Sequence, residues 1–344
     1  MIPEAMTGRP ATTAEPQHVQ SKDLDRAAPA AGRRVLLVHA HPDDEVTGTG
    51  ITMAKLVADG ADVTLVTCTL GEEGEVVVPE LAHLASDADD ALGPHRITEL
   101  DAAMSELGVT DFLRLGGDGK YRDSGMAWDE DRGVIPLETL HEESFADADL
   151  LTAATDLVPV IRDRRPHVLI TYDEYGGYGH PDHIKAHRVA MYAQQLAGAP
   201  SFRPDLGEAW QVPRVLWTAM AEGRMRDGLR RMRDAGVEGL WGGADPEGPL
   251  PPMVKPDSQI AAVVTAVEQV PAKLAAFRAH RTQIPADSPF FTMTEVLGHE
   301  AWAEEAFLFA GGHPFPDADG PADDLFAGLA PDPVEATGVP VSGR

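Results

Sequence analysis

The stretch RRVLLVHAHPDDE (33–45) decides how this chain is read. Its first part, 33–40, is a continuous apolar run of the kind a parallel strand shows when both of its faces are covered. A polar turn follows, and then a helical pattern with apolar positions at Met53, Leu56 and Val57 that closes at Gly60. Strand, turn and helix in that order open a parallel sheet. In a dinucleotide-binding fold this turn would carry G-x-G-x-x-G, but here it carries His41, Asp43 and Asp44. Dinucleotide binding has little support.

Working outward, the alternation continues. DVTLVTCT (62–69) reads as a second strand, HRITELDAAMSELG (95–108) as an amphipathic helix and DFLRLG (111–116) as a third strand. A helix over 151–164 precedes the strand HVLITYD (167–173), and another helix follows Pro181. RVLWTAM (214–220) reads as a fifth strand, and 258–280 as one long helix. We therefore expect an α/β fold, a Rossmann-like open and mostly parallel sheet flanked by helices, with right-handed crossovers. One domain over 33–312 is expected between two disordered tails. Residues 1–32 mix Pro, Ala, Thr and charge without periodicity, and 313–344 are rich in Pro, Asp, Gly and Ala.

The 344 residues include 56 acidic and 28 basic side chains, a net charge of −28. Such a surface repels phosphate backbones and argues against nucleic acid or an anionic membrane as partner. No apolar stretch approaches the roughly 20 residues of a membrane helix. The N-terminus lacks the apolar core of a secretory signal, so a cytoplasmic location is expected. The lone Cys68 excludes an intrachain disulfide and, within DVTLVTCTL, reads as a core residue. No sign of oligomeric state is legible.

Two tetrads echo each other, His41-Pro42-Asp43-Asp44 and His180-Pro181-Asp182-His183. Each follows an expected strand and opens an expected helix, with Pro at a first-turn position where its missing N–H costs nothing. Ligands of open parallel sheets bind beyond the carboxyl ends of the strands, where both tetrads belong. One such turn is an ordinary helix start; two at equivalent strand ends, one beside the glycine-rich GGYG (176–179), point to a metal. His41, Asp44 and His183 would be the protein ligands of a Zn²⁺ or Fe²⁺ site with an open position for water. Asp43 is then surplus, free to take a proton from that water.

Other residues stay open at this point. His39 is a buried or supporting histidine, His187 a rival ligand one helical turn beyond His183, and His280 either lines the site or caps a helix. The loop GEEGE (71–75) is either a solvated acidic turn or the source of a carboxylate, Glu75, for substrate hydroxyls. Asp123-Ser124-Gly125-Met126 is a second such polar loop.

AHPDDE (40–45), TCTLGEEGE (67–75), RDSGM (122–126) and YDEYGGYGHPDH (172–183), with HRTQ (280–283) and FLFAGG (307–312), closely resemble the LmbE-like, or PIG-L type, zinc N-deacetylases. The longer motifs resemble the branch of that family acting in mycothiol synthesis. The resemblance implies an amide hydrolase that removes acetate from a small amino sugar, N-acetylglucosaminyl-inositol. It implies His41, Asp44 and His183 on the metal, Asp43 as general base, and His180 as oxyanion stabiliser and general acid with Asp182 orienting its ring. It further implies Tyr178 as a donor to the oxyanion, and Glu75, Arg96 and Asp123 as substrate contacts. Sister enzymes that cleave mycothiol S-conjugates carry a lysine near Thr47; its absence favours the deacetylase. The other readings are that S-conjugate amidase, a deacetylase of another N-acetylglucosaminyl compound, and a nucleotide-binding or sensing domain with a purely structural metal. A structural site is closed by four protein ligands, and only three are evident here.

Overall fold

A computed structural model describes residues 30–129, 133–236 and 244–330. In chain order the elements are β1 (Arg34–His39), α1 (Asp44–Ala58), β2 (Asp62–Thr67), α2 (Leu92–Leu107), β3 (Asp111–Arg114), and a hairpin of β4 (Ala127–Asp129) and β5 (Gly133–Ile135). Then come α3 (Leu150–Arg164), β6 (Val168–Thr171), the short α4 (Gly176–Gly179), α5 (Pro181–Gly198), β7 (Arg214–Ala221) and α6 (Glu222–Asp234). The chain continues through β8 (Val254–Lys255), β9 (Ala262–Thr265), α7 (Val270–Ala279), α8 (Pro289–Leu297) and β10 (Glu304–Gly312).

The main sheet runs β3-β2-β1-β6-β7-β10-β9, with β8 paired to β7. From β3 to β7 all pairings are parallel; β10 is antiparallel to both of its neighbours. The chain leaves β1 toward β2 and β3, then returns to place β6 on the other side of β1. That reversal makes a crevice at the carboxyl ends of β1 and β6, where such sheets bind their ligands. Both tetrads emerge there.

The middle of β1, Val35 to Val38, is apolar because neither face sees water. Val35 and Leu37 belong to the core under α1, α2 and α7, whereas Leu36 and Val38 belong to the core under α3 and α5. Burial of each such side chain is worth about 1.5–3 kcal/mol. The first turn of α1 carries Asp44 and Glu45, whose charge suits the positive end of the helix dipole. Among the described residues no helix is long and apolar enough to cross a membrane.

Two expectations are corrected. The long helix expected over 258–280 is strand β9 followed by α7. The β-branched Val263-Val264-Thr265 pair with β10, and Pro271, tolerated only in a first turn, sits at the start of α7. The tail expected to be disordered from 313 is packed as far as Leu329: Leu325, Phe326 and Leu329 are buried. The fully buried Arg214 donates to the carbonyls of His313, Pro314, Leu325 and Ala327 at 2.7–3.0 Å and stacks on Phe315. The rest of that tail, 331–344, and most of the N-terminal one, 1–29, lie outside the described residues.

Candidate metal centre and active site

His41, Asp44, His180 and His183 converge in the crevice. Asp44 lies between two of the histidines: its Oδ2 is 3.2 Å from His41 Nδ1 and its Oδ1 is 3.2 Å from His183 Nε2. His41, His180 and His183 bring ring nitrogens within 4.8 Å of one another, and His41, Asp123 and Asp182 form a second such group. All of these except Asp44, which is partly exposed, are buried.

Ring orientation follows from the groups behind each histidine. His183 Nδ1 faces the Gly176 carbonyl at 3.2 Å, so its proton sits there. Nε2 then turns a lone pair toward an Asp44 oxygen, buried and without a hydrogen bond. Two electron-rich atoms 3.2 Å apart repel unless a cation lies between them. His41 repeats the pattern: Nε2 meets Asp182 Oδ2 at 3.2 Å and Asp123 Oδ1 at 3.5 Å, and Nδ1 faces Asp44. Burial opposes a charge on His41, but Asp123, Asp182 and Asp44 outweigh it and raise its pKa. The residues fit a metal ion. Gly176 is required for this approach, since at φ 69° a Cβ would lie 2.8 Å from that of His183.

Asp43 stands apart from the ligand cluster. It caps α1 in a left-handed conformation, φ 111°, and Arg96 donates to its Oδ2 at 2.9 Å. Burial, with Asp44 beside it, raises its pKa to about 6 against the pull of Arg96. Below it, Glu45 accepts from the Asp43 amide at 2.7 Å and from His280 Nε2 at 2.7 Å, both side chains fully buried. His280 therefore supports the site from beneath.

The other residues singled out in the sequence surround this cluster. Arg96, expected to hold sugar hydroxyls, is 2% exposed and engaged with Asp43 and the carbonyls of Pro42 and Gly71. It ties the HPDD turn to the GEEGE loop, and Gly71 must be glycine because a Cβ would fall 2.1 Å from the guanidinium. The Asp182 carboxylate, expected to orient His180, instead bonds His41 and both the amide and hydroxyl of Ser124. Only the Asp182 amide meets His180, donating to Nδ1 at 3.1 Å, which leaves the His180 proton on Nε2. Asp123 lies against His41 and accepts from the Gly125 amide, deeper than a substrate contact at the rim. Glu75 is exposed, while its neighbour Glu72, not singled out from the sequence, is buried and accepts from the Asp123 amide. The rival ligand His187 turns away, to the Tyr172 carbonyl and Trp217. His39 is buried against Thr49 and Tyr172. Tyr178 lies edge-on to His183, 4.9 Å between centroids, and burial first, then Asp44, keeps its hydroxyl protonated.

The model of the GlcNAc-PI de-N-acetylase family, PIG-L, matches residues 36–194. A protein of Nocardioides sp. named 1D-myo-inositol 2-acetamido-2-deoxy-alpha-D-glucopyranoside deacetylase is 58% identical over 298 residues, 86% of this chain and 99% of its own. The chain belongs to the PIG-L family. A protein of the same name from Kribbella flavida is 56% identical over 298 residues, 86% of this chain and 98% of its own. Among solved structures, an N,N'-diacetylchitobiose deacetylase from Pyrococcus horikoshii superposes with a TM-score of 0.52 at 20% identity, covering 81% of this chain and 84% of that one. That likeness concerns the fold. Family and donor set together indicate a metal-dependent N-deacetylase.

Proposed function

We propose that this enzyme removes the acetyl group from N-acetylglucosaminyl-inositol (1D-myo-inositol 2-acetamido-2-deoxy-alpha-D-glucopyranoside) with the aid of zinc, a cytoplasmic step of mycothiol biosynthesis. The observation that carries the chemistry is the division of labour between adjacent acids: Asp44 faces His41 and His183, whereas Asp43 is held by Arg96 and spared. The names of relatives 56–58% identical over nearly their whole lengths support the substrate.

His41 Nδ1, Asp44 and His183 Nε2 would hold the metal. Zinc, when bound, supplies Lewis acidity at the acetyl carbonyl and brings the pKa of water down to about 7. Asp43 accepts the proton of the attacking water, its carboxylate fixed in place by Arg96. His180 donates from Nε2 to the developing oxyanion. Burial, then His41 and His183, depress its pKa to about 2, so it donates as a neutral imidazole. As the C–N bond breaks, the proton that Asp43 took from the water passes to the amine, with the His180 N–H keeping its hydrogen bond to the reacting group, and acetate and free amine result. Tyr178 supplies a second O–H donor to the oxyanion. Asp182 works through His41, holding its ring so that Nδ1 faces the metal. Glu75 lies at the rim, where it can accept from inositol hydroxyls, and Asp123 would meet the substrate deeper, beside His41.

The test is acetate release from the inositol glycoside by metal-stripped protein before and after zinc is restored. Release only after reloading is expected; equal release by the stripped protein would refute the reading.

A further inference from the structure

Tyr172 has no role in the mechanism above, yet it touches one of the proposed ligands and the backbone beside another. It is 6% exposed, at the carboxyl end of β6, and its ring stacks on that of His183 with centroids 4.3 Å apart and planes 17° from parallel. Its hydroxyl accepts from the Ala40 amide at 2.9 Å, on the other strand that feeds the site. That leaves one phenolic proton, with His39 Nδ1 at 3.3 Å as the neighbouring nitrogen. Thr49 settles the tautomer of His39. The Thr49 hydroxyl donates to the Glu45 carbonyl at 2.9 Å, so toward His39 Nε2, also at 2.9 Å, it accepts. His39 is therefore protonated on Nε2 and presents a neutral acceptor at Nδ1. The phenolic proton therefore goes to His39, and the hydroxyl joins the Ala40 amide of β1 to the end of β6.

We propose that Tyr172 is a positioning residue of the metal centre, setting the plane of the His183 ring with its own ring and the backbone beside His41 with its hydroxyl. By bridging β1 and β6 through the Ala40 amide it fixes the spacing of two ligands that arrive from different strands. Groups that orient ligands in this way typically contribute 10–100-fold to metal affinity. The inference rests on the assignment of His41, Asp44 and His183 as ligands.

The experiment measures zinc dissociation constants by competition with a chromophoric chelator, for the full chain and three variants. Tyr172→Phe keeps the ring and removes the hydroxyl, and its zinc affinity is expected to fall by about 10-fold or more. Thr49→Val cuts the same network at the His39 end, away from the Ala40 amide, and should lower the melting temperature while leaving zinc affinity within about 2-fold of the parent. That outcome separates ligand positioning from general loosening of the core. Asp44→Ala should abolish tight binding. If Tyr172→Phe binds zinc like the parent, or if Thr49→Val loses as much affinity as Tyr172→Phe, the inference is overturned. If Asp44→Ala keeps its zinc, the ligand assignment itself is wrong.

Discussion

Two neighbouring aspartates with opposite tasks set what a side-chain experiment must distinguish. Replacing His41, Asp44 or His183 by Ala should lower zinc content and turnover together, measured by metal analysis of the purified variants and by acetate release. Asp43→Asn keeps an oxygen for Arg96 and removes only the basicity. It should retain its zinc and lose about 10²–10⁴-fold in kcat. Equal metal loss in Asp43→Asn and Asp44→Ala would show that the two acids are not divided as proposed. Imidazole must give up its proton to bind a metal, so zinc affinity should weaken as pH drops from 8 to 6. An affinity flat across that range would argue against histidine ligands. The sequence showed the cluster because its donors come in two short tetrads. It did not show what stands behind each donor. Asp182 behind His41 and Arg96 behind Asp43 are contacts across 141 and 53 residues, set by how the loops fold over one another. That Arg96 faces three oxygens of its own chain was not legible, because a guanidinium in a crevice looks the same in sequence whether it faces solvent or protein.

At the level of elements, β1, β2, β3, β6 and β7 were legible because their runs are largely apolar, whereas the pair β4 and β5 was not read as strands. The far side of the sheet was not. β9 is a short edge strand whose alternating burial offers little pattern, and it runs into a helix after only a few residues, so the two read as one period. The segment after β10 was misread for a different reason. Its composition is that of a linker, and three apolar residues near its end, Leu325, Phe326 and Leu329, are what dock it. Arg214 makes that docking costly to undo, since its buried guanidinium would lose four carbonyl acceptors. A chain ending at Gly312 should be destabilised by about 3–5 kcal/mol in urea unfolding, in the range seen when a buried charge is left without partners. Unchanged stability would mean that 313–329 merely rests on the surface.

Over the whole molecule, the switch point between β1 and β6 gathers the proposed ligands, Asp43 and the proposed oxyanion donors at one end of the sheet, and the loops at that end would choose the substrate. Substrate choice is therefore the part of the function that a parallel sheet alone leaves undetermined, and the part where the amidase reading differs from the deacetylase. A site that hydrogen-bonds the hydroxyls of inositol pays a penalty when they are missing, because its polar groups are then left unpaired. The decisive measurement is kcat/KM on the zinc-loaded enzyme for three compounds: the inositol glycoside, N-acetylglucosamine alone, and a mycothiol S-conjugate. The inositol glycoside should be best, by about 10-fold or more over each of the others. If the S-conjugate is cleaved most efficiently, the deacetylase assignment is wrong and the enzyme is an amidase.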